Sequence, residues 1–271
     1  SNNISYMENI SHDNIQLSDK SESKIPRFGT LAGVGAILTY LLASLPLVAI
    51  AGLIVALNSS KENGVNNDLS SSEVSNKIND LIAKPGFIIA IIAANCIGLY
   101  IWVFLVSKIR GSKNIRDDFG LHFTKSAWWF IPVGIGLQLL SLILSLPISL
   151  LKDNLKNQDV AVGLVSAKGA ILFLYFLFVA LIVPFTEELC FRGVFLRGIL
   201  RRYKPILSIL ICGILFASIH LSDKNAFYGF SSLMIIGIFS SALTVYRGRI
   251  DASIALHIGF NLTAAIFLVI T

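Results

Sequence analysis

A bundle of membrane-spanning helices is the fold this sequence predicts, on three observations. Of the 271 residues, 55% are hydrophobic and only 14% charged, where a soluble domain carries about 25% charged residues. Apolar runs long enough to cross a bilayer, about 20 residues each, follow one another along nearly the whole chain. The polar connections between them carry lysine and arginine unevenly, as the loops of a polytopic protein do. The expectation is therefore an all-α, polytopic membrane helix bundle: a polar segment over 1–27, then a single transmembrane domain over 28–271.

Taken in order, spans are predicted near 29–57, 86–107, 128–151, 169–190 (running on to about 200), 205–221, 227–246 and 250–271. Residues 1–27 are polar and the first apolar run is too long for a signal h-region, so no cleavable signal is expected; Met7 is a candidate native start. Pro46 predicts a kink in the first span. Gly29 and Gly33 have the small-xxx-small spacing of a helix contact. Trp128 and Trp129 open the third span as interfacial anchors. In the fourth, Pro184 stands three residues before Glu187 and frees a carbonyl one turn back, a break tolerated where backbone lines a cavity. Basic residues cluster at Lys20, Lys24 and Arg27, between Lys108 and Lys125, between Arg197 and Lys204, and at Arg247 and Arg249. With alternating spans these groups share one face, which the positive-inside rule makes cytoplasmic, and the N-terminus with it. The opposite face receives 58–84, a flexible or weakly helical loop, with 152–168 and 222–226.

The net charge is +6, but the basic residues flank spans and no basic stretch is interleaved with aromatics, so nucleic acid is not an expected partner. Cys96, Cys190 and Cys212 lie in apolar runs without CxxC spacing and read as core-filling residues. Abundant Asn, Ile, Lys and Ser point to an AT-rich bacterial genome, and hence to a bacterial cell membrane.

The chemistry concentrates in the fourth span. Glu187, Glu188 and Arg192 fall within six residues of an otherwise apolar run. Each ionised side chain at a span's centre costs about 2.5–3.5 kcal/mol on insertion scales. Such groups must pair, face a wet cavity or do chemistry. Glu188 and Arg192 are four apart and share a helix face, so they should form a charge-assisted contact. Glu187 lies about 140° around the helix from Arg192 and is left available as a base. Later apolar runs supply His220, four residues after Phe216, and His257, four residues before Asn261. Glu187 and His220 can hold and deprotonate a water; His257 and Asn261 can donate to an oxyanion. Nearly all strongly polar groups within spans four to seven belong to this set, whereas the first three spans offer little beyond Asn95 and Gln138.

Glu187-Glu188-x-x-x-Arg192, Phe216-x-x-x-His220 and His257-x-x-x-Asn261 resemble, in order and spacing over 184–261, the three signature motifs of the CAAX protease and bacteriocin-processing (CPBP, or Abi) membrane family, which includes the type II CAAX prenyl endopeptidases. The resemblance implies seven to eight transmembrane helices and a catalytic-like core over 169–271 with an intramembrane, cytoplasm-facing cavity. It implies an intramembrane endopeptidase acting on a peptide or membrane-anchored protein. Glu187 and His220 would activate water, His257 and Asn261 would form the oxyanion site, and Glu188, Arg192 and Phe216 would support them. Bacterial members mature peptide signals or confer immunity to bacteriocins. No cofactor is expected: a zinc site using Glu187, His220 and His257 is conceivable, but there is no HExxH. Two rival classes stand beside this one. A non-catalytic scaffold or regulator binding a membrane-protein partner, such as a sensor kinase, need not keep Glu187 and both histidines. A transporter using Glu, His and Arg as a proton relay expects repeated halves, and none is visible.

Overall fold

The structure, a computed structural model, describes residues 28–63, 71–151, 166–222 and 229–270. The polar segment 1–27, with Lys20, Lys24, Arg27 and Met7, lies outside the described residues, as do 64–70, 152–165, 223–228 and 271. Every regular element among the described residues is helical: α1 Thr30–Leu42, α2 Leu45–Asn63, α3 Ser71–Ile82, α4 Pro85–Arg110, the short α5 Ile115–Phe119, α6 Phe130–Leu151, the long α7 Gly169–Ile199, α8 Pro205–Ile219, α9 Phe230–Arg247 and α10 Asp251–Ile270.

Six stretches among the described residues are long and apolar enough to cross a membrane: Thr30–Asn58, Pro85–Arg110, Lys125–Ile143, Gly169–Ile199, Phe230–Arg247 and Asp251–Ile270. This is a multi-pass membrane protein. Of the seven predicted spans, the one near 205–221 is the shorter apolar helix α8. Its 15 residues rise only about 22 Å, short of a hydrocarbon core about 30 Å thick. Lys204 and Pro205 fix its start, and it gives way at His220–Ser222 to a 3-10 turn. His220 therefore stands at a helix end, not mid-span.

The break predicted from Pro46 falls at Ala43–Ser44, with Pro46 in the first turn of α2, where a missing N–H costs least. The Ser44 N–H turns aside to Asn95 Oδ1 on α4, 2.8 Å away, which gives that isolated polar residue a backbone-capping role. Within the loop predicted over 58–84, α2 runs on to Asn63, and Ser71–Ile82 forms a full helix.

Large apolar side chains such as Leu31, Ile54, Phe104 and Ile143 point outward, as lipid allows. The tightly buried core gathers around α7: Phe28, Phe119, Phe191, Phe195, Phe216, Ile236, Ile250 and Leu256. α6 and α10 approach closely because glycine faces backbone on both sides. A Cβ at Gly134 would collide with the Leu256 carbonyl, and one at Gly259 with the Ile131 carbonyl. Ser141 of α6 and Ser232 of α9 share a hydrogen bond across the bundle.

Three of the basic groups meet at one end. Arg197 donates to the Gly248 carbonyl at 2.6 Å, the Ile250 N–H to the Gly120 carbonyl at 3.0 Å, and Arg247 to Thr124 Oγ1 at 3.2 Å. Asp251, at the start of α10, accepts from Thr124 and from Arg249. The end of α7, the loop before α6 and the α9–α10 turn are thus tied together, with Trp128 and Trp129 exposed nearby in sequence.

Candidate active site

The helix that carries the acidic pair is not a regular one. Within α7, Phe178–Ile182 is π-helical, Val183–Glu188 α-helical and Leu189–Leu196 π-helical again. Such wide turns are rare and concentrate where backbone is re-aimed. Pro184 accounts for the first. The Val183 N–H bonds the Phe178 carbonyl, so in that register residue 184 would bond the Val179 carbonyl; proline has no N–H to do it. Asn261, on α10, fills the gap, its Nδ2 lying 3.1 Å from Val179 O. The carbonyl freed by Pro184, expected from the sequence, thus meets Asn261. Among the described residues, only one of the two amide N–H groups has a partner.

Glu188 and Arg192 are completely buried and joined at 2.9 Å. A second Arg192 nitrogen donates to the Gly237 carbonyl of α9 at 2.8 Å. The guanidinium lies over the Phe216 ring, 4.6 Å from its centroid, so the charge meets a carboxylate, a carbonyl and a π face. Phe216 also stands edge-on to His257, at 5.6 Å, and tilted against His220, at 5.0 Å. It is the apolar floor on which both imidazoles rest.

Glu188 has a second duty. Its Oε1 lies 2.9 Å from His257 Nδ1. A carboxylate only accepts, so that nitrogen carries the ring proton. His257 Nε2 then faces Glu187 Oε2 at 3.7 Å. His220 is fixed the same way by a different acceptor: Nδ1 meets the Phe216 carbonyl at 2.8 Å, and Nε2 faces Glu187 Oε1 at 3.9 Å. Glu187 is thus the hub, with an Nε2 on each side. Both separations exceed a hydrogen bond and are of the size that one water bridges.

One correction to the sequence expectation follows. Glu187 is not left without a partner: the Tyr40 hydroxyl of α1 donates to its Oε1 at 3.1 Å. In the sequence Tyr40 reads as one more residue of an apolar run. The signal that could have found it is its place on the face of Gly33 and Ala36, at helical spacing. Thr186 reads the same way; its hydroxyl bonds back to the Ile182 carbonyl and meets the Tyr100 hydroxyl, each at 2.7 Å.

The site is enclosed but not sealed. The His220 side chain is 23% exposed and that of Glu187 8%. Among the described residues no group of three or more His, Cys, Asp or Glu is arranged to hold a metal ion.

No curated protein and no solved structure matches the chain. Residues 169–263, which contain Glu187, Glu188, Arg192, Phe216, His220, His257 and Asn261 but not Tyr40, match the family model described as type II CAAX prenyl endopeptidase Rce1-like. Over that stretch the chain is similar to that family, and the stretch holds all three of its motifs.

Proposed function

We propose that this protein is an intramembrane endopeptidase that hydrolyses a peptide or membrane-anchored protein entering from the cytoplasmic side of a bacterial membrane. One observation carries the reading. A buried carboxylate, Glu187, stands between two imidazole Nε2 atoms whose Nδ1 atoms are already committed. With its Nδ1 proton held by Phe216 O, neutral His220 offers a bare Nε2. A water can then donate one proton towards Glu187 and the other towards His220, leaving its oxygen free to attack a carbonyl carbon. Glu187 takes a proton as the C–O bond forms. The oxyanion accepts from the unused N–H of Asn261, and from His257 Nε2 when that ring is doubly protonated. Glu187 then returns its proton to the amide nitrogen as the C–N bond breaks, releasing a carboxylic acid and an amine. No step needs a metal or an enzyme-bound intermediate.

The test compares new protein termini in membranes from cells carrying the wild-type chain or Glu187→Gln. Termini present only with the wild type are expected, together with a loss of about 10²–10⁴ in rate for the purified variant and no change in its melting temperature. Cleavage by the purified wild type should survive exhaustive chelation. Identical termini in both membranes would replace protease with scaffold; activity lost on chelation and restored by zinc alone would replace the mechanism.

A further inference from the structure

We infer that Tyr40 is a positioning residue for Glu187, so that the N-terminal helix completes a site otherwise contained in 169–263. This rests on the reading of Glu187 as base. The Tyr40 hydroxyl is 3.1 Å from Glu187 Oε1, from a helix 147 residues away in sequence. Three contacts hold α1 in that place. Phe28 lies against Phe119, with ring centroids 5.2 Å apart. At Gly33 the helix passes so close to α7 that an added Cβ would sit 2.7 Å from Phe195 Cα. Trp102 Nε1 on α4 donates to the Ala32 carbonyl at 3.0 Å. Gly33, buried Ala36 and Tyr40 share one face at seven- and four-residue spacing. The glycine brings the helices together two turns before the tyrosine reaches across.

The consequence for Glu187 is orientational. The terminal torsion of a glutamate is broad, and neither histidine is close enough to bond the carboxylate directly. Tyr40 fixes Oε1, which leaves Oε2 turned towards His257 and sets the plane in which the bridging water must lie. The phenol touches no reacting atom; it acts through the carboxylate.

Tyr40→Phe removes the hydroxyl and keeps the ring. Two readouts separate positioning from packing. In the wild-type minus Glu187→Gln infrared difference spectrum, the Glu187 carboxyl band should move when Tyr40→Phe replaces wild type. With an internally quenched peptide ending in a farnesylated Cys-a-a-X sequence, kcat should fall about tenfold with KM and melting temperature unchanged, as for one hydrogen bond to a charged group. In the Glu187→Gln background the same substitution should cost nothing further. A band that does not move overturns the inference whatever the substrate, and so does a wild-type kcat in Tyr40→Phe beside an inactive Glu187→Gln. A fully active Glu187→Gln would instead remove the reading of Glu187 on which the inference stands.

Discussion

The two halves of this molecule meet the membrane in opposite ways. Half of the most apolar stretch of α10 is buried inside the protein and 28% of that of α9, against 11% for Thr30–Asn58 and 17% for α4, with Lys125–Ile143 and α7 alike at 22%. The C-terminal helices spend their surface on one another and enclose charge. The N-terminal ones spend it on lipid, yet reach inward at Tyr40, Ala32 and Asn95. Bilayer hydrocarbon supplies no hydrophobic drive for helix association, so contact has to come from close packing and polar bonds. Where charge is to be enclosed, such contacts are dense; where a wall is enough, a few suffice.

That contrast makes graded predictions. The largest loss of stability belongs to Arg192→Ala, which leaves the buried Glu188 carboxylate without its counter-charge and takes one donor from the Gly237 carbonyl. Breaking a buried pair costs about 3–5 kcal/mol, seen as a lowered melting temperature in detergent. Glu188→Gln/Arg192→Gln should recover part of this and none of the activity, because His257 loses its carboxylate. A double variant no more stable than the worse single one would mean the pair is not coupled.

Asn261→Ala comes next, and the structure implies two effects where spacing alone implied one. Turnover should fall by about 10²–10³ as an oxyanion donor is lost. Stability should fall by about 1–3 kcal/mol as the Val179 carbonyl is left bare. Calorimetry and single-turnover kinetics separate the two; unchanged turnover with lowered stability would make Asn261 a backbone patch alone.

The smallest effect is expected in the N-terminal wall. Gly33→Ala pushes against the Phe195 backbone and should cost about 1–3 kcal/mol, the ordinary range for overpacking. Activity should drop only as far as Tyr40→Phe lowers it. A melting-temperature loss equal to that of Arg192→Ala would mean the N-terminal helices carry the fold as much as the C-terminal ones do.

Local spacing made much of this legible. Four residues along a helix put Glu188 beside Arg192, and a proline's missing donor announced the free carbonyl before Glu187. Three motifs in order announced the family match. What stayed hidden depends on contacts across the chain. No spacing rule ties Tyr40 to Glu187. Nothing in the pattern assigns Glu188 to both Arg192 and His257, so His257 read as a free donor although one nitrogen is already engaged. α8 is apolar throughout, and only its 3-10 ending shows how short it is. The second π-helical stretch contains no proline to betray it.

The bond between Asn261 and the Val179 carbonyl also has a history, because the two groups are made 82 residues apart. During synthesis α7 enters the bilayer with a carbonyl that its own helix cannot satisfy and with Glu188 still lacking His257. α10 supplies both missing partners when it arrives. Until then α7 has these two groups without their partners from α10, and the pocket has neither its second imidazole nor its amide. Assembly of the bundle is therefore also its arming, and a nascent chain passes through biogenesis without a finished site.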